Sequence, residues 1–128
     1  MSTRTPTADE LRGVWILESV QTPLTDGGTQ HPFGDQPVGT IIYLANGVMA
    51  VHIAGSDHTA NKLLAYAGRW RIAGDRVVHD VEESLDISLR GVRLERRAEF
   101  DPVTGTLTYT TVEAQGPGCP VVRWHKAP

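Results

Sequence analysis

The chain has 128 residues, 40% apolar and 21% charged, with 12 Lys and Arg against 15 Asp and Glu and a formal net charge of −3. That length fits one domain, 1–128, and the composition is globular rather than disordered or collagen-like. The acidic balance argues against a nucleic-acid binder, which needs a basic stripe. No run of about 18 apolar residues is present to span a membrane, and the single cysteine, Cys119, excludes an internal disulfide and a Cys-rich zinc site.

Residues 1–7 are polar and are expected to be loose; they lack the apolar core of a signal peptide, which points to a cytoplasmic chain. Ala8 to Arg12 is expected to form one helical turn, capped by Thr7 with Glu10 as its capping-box partner. Alternation then predicts a strand from Val14 to Gln21. Thr22 to Pro37 is rich in Gly and Pro and reads as a long loop, the kind that serves as a lid or binding loop. Strands are predicted at Gly39–Leu44 and Val48–Ala54 across Asn46-Gly47, a strong hairpin signal. After a polar stretch, Gly55 to Lys62, strands Leu64–Ile72 and Arg76–Glu82 meet at Ala73-Gly74-Asp75. Leu85 to Phe100 has enough charge to pass as an amphipathic helix, but Gly91 and Val92 weaken that reading, and a strand at Val92–Phe100 is preferred. Strands at Thr106–Thr111 and Val121–Lys126 complete the chain, the second after the loop Gln115–Pro120. Eight strands with short connections make an all-β, antiparallel, up-and-down closed barrel, which leaves no free edge.

Several segments carry a family resemblance. Gly13-Val14-Trp15 is similar to the Gly-x-Trp motif that opens lipocalin and related calycin barrels. His31-Pro32-Phe33-Gly34 with Pro37-Val38-Gly39, Asn46-Gly47-Val48-Met49, Ala65-Tyr66-Ala67-Gly68-Arg69-Trp70, Val77-Val78-His79 and Val122-Arg123-Trp124 resemble, in order, the bacterial lipocalin-like domain family. The resemblance implies an eight-stranded calycin-type barrel around a small organic molecule, and fixes no activity.

Alternation in such a barrel separates wall from interior. With Trp15 inside, Leu17, Ser19 and Gln21 follow it inward; so do Tyr66, Gly68, Trp70 and Ile72, then Val77, His79 and Val81. Arg93, Glu95, Arg97 and Glu99 form a solvent face, which turns Leu94, Arg96, Ala98 and Phe100 inward. Leu107, Tyr109 and Thr111, Val122 and Trp124, and Met49, Val51 and Ile53 complete the lining, while His52 faces out. The interior is then apolar with a few polar groups, the make-up of a small-molecule site.

The candidate catalytic groups are His79, as general acid or base, Arg96, whose inward charge calls for a carboxylate or enolate, and Tyr66 and Tyr109 as hydroxyl donors. Each has a structural alternative: a core histidine satisfied by a tyrosine, a rim arginine reaching solvent, tyrosines as wall. Trp70, Phe33, Met49, Val51, Leu94, Trp124 and Gln21 are candidate ligand contacts, with Phe33 at the inner tip of the long loop. Trp15 reads as a plug of the closed end, under a cation such as Arg123 or Lys126. The histidines His31, His52, His58, His79 and His125 lack metal-ligand spacing, and no metal or cofactor is expected. Cys119 reads as a loop residue.

Two functions fit this pattern. One is a cofactor-free cyclase, isomerase or lyase acting on a hydrophobic, natural-product-like substrate, placed in secondary metabolism. The other is a non-catalytic carrier of a small apolar or anionic ligand. The expected partner is a small hydrophobic organic molecule, with no nucleic acid and no membrane, and the protein is expected as a monomer or homodimer.

Overall fold

The computed structural model describes residues 2–55, 63–111 and 120–128. After a single helical turn, α1 (Ala8–Leu11), come β1 (Gly13–Pro23), β2 (Thr29–Gln30), β3 (Val38–Tyr43), β4 (Val48–Ala54), β5 (Leu63–Ala73), β6 (Arg76–Ser84), β7 (Arg93–Asp101), β8 (Thr106–Thr111) and β9 (Val121–Lys126). Strands β3 to β9 pair antiparallel in chain order, and β1 pairs with both β3 and β9. The result is a closed eight-stranded barrel, with β2 added as a two-residue extension on the far end of β1. Closure satisfies the backbone donors and acceptors that an open sheet would leave at its edges.

The local signals act as the sequence implies at the closed end. Thr7 Oγ1 accepts from the Glu10 amide and the Glu10 carboxylate accepts from the Thr7 amide, so a reciprocal capping box fixes α1. Leu11 is then fully buried, and its carbonyl accepts from Trp15 Nε1 at 2.8 Å. Lys126 covers the Trp15 ring, 4.7 Å from its centroid, and donates to the carbonyls of Glu10 and Arg12. Phe100 meets Trp15 edge-on at 6.1 Å. The residues before α1 are less free than their polarity implies. Arg4 forms a backbone bridge with Phe100, and its guanidinium grips the Glu10 carboxylate in two bonds of 2.6 and 2.7 Å.

Two expectations change. A β-bulge between Leu17 and Ser19 shifts the alternation of β1, so Val20 and Thr22 are buried in place of Ser19 and Gln21. One extra residue reverses the facing of everything beyond it. Gln21 instead accepts from Arg123 Nη1 at 3.5 Å. The long loop is shorter than expected: β1 runs on to Pro23, and Thr22 and Pro23 pair with Gln30 and Thr29. The strand preferred at Val92–Phe100 is present as β7, and the residues before it include a 3-10 turn at Ile87–Leu89 capped by Asp86. The turn between β3 and β4 uses a positive φ at Gly47 alone, with the Gly47 amide donating to the Leu44 carbonyl. The polar stretch at 56–62 with His58, and Cys119 with most of its loop, lie outside the described residues.

Gly68 sits beside a second bulge, where β5 meets β6. A Cβ there would lie 2.0 Å from the Asp80 carbonyl oxygen, a backbone atom unable to swing away. Gly68→Ala is therefore expected to lower the unfolding free energy by about 1–3 kcal/mol, the usual cost of forced overpacking, as read from urea unfolding. An unchanged midpoint would mean that β5 and β6 are not this close.

Candidate functional site

The inward faces of β3, β5, β6 and β8 bring four polar rings together in the middle of the barrel. Tyr43 ends β3 on the same face as Gly39 and Ile41; Tyr66, His79 and Tyr109 occupy the inward positions of β5, β6 and β8. All four are buried. The Tyr43 hydroxyl lies 2.6 Å from His79 Nε2 and 2.8 Å from the Tyr109 hydroxyl, and the Tyr66 hydroxyl lies 2.7 Å from His79 Nδ1. The contacts form one unbranched chain, Tyr109–Tyr43–His79–Tyr66. Trp70 packs edge-on against Tyr43 at 5.1 Å and is held by a 2.9 Å bond from its Nε1 to the Leu44 carbonyl.

Burial decides the charge states here. Desolvation first, and the Arg96 guanidinium second, push the His79 pKa down to about 3, which keeps the imidazole neutral at pH 7. Burial pushes the Tyr66 pKa up to about 12, against an opposing pull from Arg96. Tyr43 and Tyr109 are also driven upward, again mainly by burial. Arg96 influences all four groups, so its positive charge lies within electrostatic reach of the whole chain.

A cavity of about 180 Å³ opens beside this chain. Its walls include Val20, Ile53, Leu64 and Val122, and its polar members include Tyr109, Thr111 and Arg96. Pro32 and Phe33 from the loop after β2, and Pro120 before β9, complete the lining. Arg96 is partly buried, donates to the carbonyl of its neighbour Glu95 at 3.3 Å, and has no carboxylate partner among the described residues. Its neighbours on the outer face differ: Arg76 meets Glu95, Arg93 meets Asp80 and Arg97 meets Asp75. A wider groove of about 750 Å³ lies elsewhere, lined by Val51, Tyr66, Ser84, Glu82, Glu83 and Arg90 among others.

The structure thus divides the residues singled out from the sequence. Arg96, Tyr109 and Phe33 share the cavity wall. His79 stands two hydrogen bonds behind Tyr109, with both ring nitrogens engaged by tyrosines, and Tyr66 and Val51 line the groove. Met49 is core, Leu94 packs on the core opposite His79, and Trp124 is buried with its Nε1 lacking a partner among the described residues. Gln21 stands apart at Arg123. Tyr43, the central link, was missed by the sequence reading, although its alternation with Ile41 carried the signal. Val20 was missed because the bulge at Glu18 leaves no mark in composition. Among the described residues no three His, Cys, Asp or Glu side chains gather as a metal site.

A closed barrel with an apolar chamber and a few placed polar groups defines a class of small-molecule-handling β-barrels. Residues 12–60, from the end of α1 through β4, are similar to the lipocalin-like domain family, and the fold as a whole is a closed β-barrel. Comparison with curated proteins gives no match. No helix among the described residues is long and apolar enough to cross a membrane.

The low pKa of His79 has a consequence for stability. An unfolded imidazole titrates near 6.5 and the folded one near 3. Between these values the unfolded chain binds a proton that the folded chain refuses, so this contribution is complete above pH 6.5 and declines as pH falls. The expected loss from this one group is roughly 1.5 kcal/mol between pH 6.5 and 5. Urea unfolding at both pH values should show that slope, and a His79→Phe protein, whatever its absolute stability, should lack that share of it.

Proposed function

We propose that the barrel binds a small, mainly apolar organic molecule with one oxygen-bearing head, a carboxylate, enolate or carbonyl. The observation that carries this reading is Arg96: a guanidinium on a mainly apolar cavity wall, without a carboxylate partner among the described residues. A charge in such a place is costly unless an anion or strong acceptor meets it. Tyr109 on the same wall supplies a second polar contact, while Val20, Ile53, Leu64 and Val122 receive the apolar body and Phe33 covers it. The cavity has the volume of about six waters, which favours a compact ligand.

A second reading is supported by the tyrosine–histidine chain that ends on this wall. It is a cofactor-free cyclase, isomerase or lyase for a compact, hydrophobic, natural-product-like substrate. In that reading Arg96 holds developing negative charge and Tyr109, rather than His79 directly, is the hydroxyl nearest the substrate.

Calorimetric titration with cinnamate and with its neutral amide tests the binding reading. Arg96→Met should weaken cinnamate by tenfold or more, the worth of about 1.5–3 kcal/mol for a charge-assisted bond, and should affect the amide much less. Its stability should hold or rise, because a partly buried cation without a carboxylate partner among the described residues is removed. Phe33→Ala should weaken both probes. Equal affinity of Arg96→Met and wild type for cinnamate would remove Arg96 from the site.

A further inference from the structure

The chain Tyr109–Tyr43–His79–Tyr66 contains three hydrogen bonds. With a neutral imidazole its four members carry four protons, one on each hydroxyl and one on the ring. One proton is therefore always left over, and in an unbranched chain it must sit at one end or the other. If His79 carries its proton on Nε2, it donates to Tyr43, Tyr43 donates to Tyr109, and Tyr66 donates to Nδ1. The free O–H then belongs to Tyr109, which lines the inner cavity. If His79 carries its proton on Nδ1, every bond reverses, and the free O–H belongs to Tyr66, which lines the separate groove.

We propose that this chain is a proton relay joining the ligand cavity to the outer groove, and that it makes the cavity an acid–base site for an ionisable oxygen such as an enolate. The ligand oxygen takes the proton of Tyr109. Tyr109 is refilled from Tyr43, Tyr43 from His79 Nε2, His79 Nδ1 from Tyr66, and Tyr66 from water in the groove. Five O–H or N–H bonds break and five form; the ligand gains one proton and the groove water loses one. Passage in the opposite sense restores the first arrangement, so one deprotonation and one protonation of a ligand, as in an isomerisation, return the relay to its start. No oxidant, reductant or cofactor enters the balance. His79 is here a positioning and conducting residue that acts through Tyr43 and Tyr109. The wall at Tyr109 also adapts: it donates to an acceptor head in one arrangement and accepts from a donor head in the other.

The relay rests in part on the proposed binding reading, but its first test needs no ligand. Removing one terminal hydroxyl leaves three protons and two bonds, and only one direction then avoids a buried donor aimed at a phenylalanine. Tyr66→Phe should hold His79 with its proton on Nε2, and Tyr109→Phe should hold it on Nδ1. Each bias should be about tenfold or more, as one unsatisfied buried donor imposes. Long-range ¹⁵N–¹H spectra of histidine-labelled protein at neutral pH read the two tautomers directly. Opposite tautomers in the two variants support the relay; the same tautomer in both, or a charged ring, overturns it. A second arm adds cinnamate to the wild type. A shift towards the Nε2 form, absent in Tyr43→Phe, is expected. Cinnamate that binds by calorimetry but leaves the wild-type tautomer unchanged overturns the relay. A failure of cinnamate to bind counts against the binding reading, and the two phenylalanine variants still decide the relay.

Discussion

Pairing of β1 with both β3 and β9 removes the free edges of the sheet, and each inward side chain takes its place from that closure. The strand manages two neighbours by being long and bent. Its first half is in register with β3 from Gly13 to Ile16, and it stays with β9 as far as Gln21. The bulge at Glu18 adds local twist where the strand leaves one partner for the other. It also turns Val20 into the interior, so an apolar side chain lines the cavity wall where regular alternation would have set Gln21.

Closure makes the two ends of the barrel unequal. At one end the capping box, Leu11, Trp15, Phe100 and the Lys126 ammonium form a packed plug. Lys126 is partly buried, which lowers its pKa, yet it keeps carbonyl acceptors and an aromatic face against its charge. The cavity instead draws on the far part of β1, the end of β4, the start of β5 and the Pro32–Phe33 loop. The packed plug and the cavity are thereby assigned to different parts of the same strands.

Between plug and cavity lies a layer of polar groups that could not survive burial singly. A hydroxyl or imidazole without partners in an apolar interior costs about 1–3 kcal/mol; linked end to end, Tyr43, Tyr66, His79 and Tyr109 satisfy one another. The same burial keeps the imidazole uncharged beside Arg96, since two neighbouring cations in this environment would repel strongly. The Arg96 guanidinium places a positive charge on the cavity wall.

The sequence by itself determined the barrel and most of its lining. Strand periodicity has a period of two, so the charged and apolar faces of each strand set the inward positions of β4 to β9, including His79, Arg96 and Tyr109. Local chemistry likewise marked α1, because a capping box is made within four residues. Only the tertiary structure decided which inward groups meet. Tyr43 and Tyr109 are 66 positions apart and touch because closure carries them round one circumference. The bulge in β1 depends on matching two neighbours at once, and so Gln21 was misplaced. Whether His79 faces a ligand or its neighbours was undecidable from alternation, which sets the face of a side chain but not its depth or its partners.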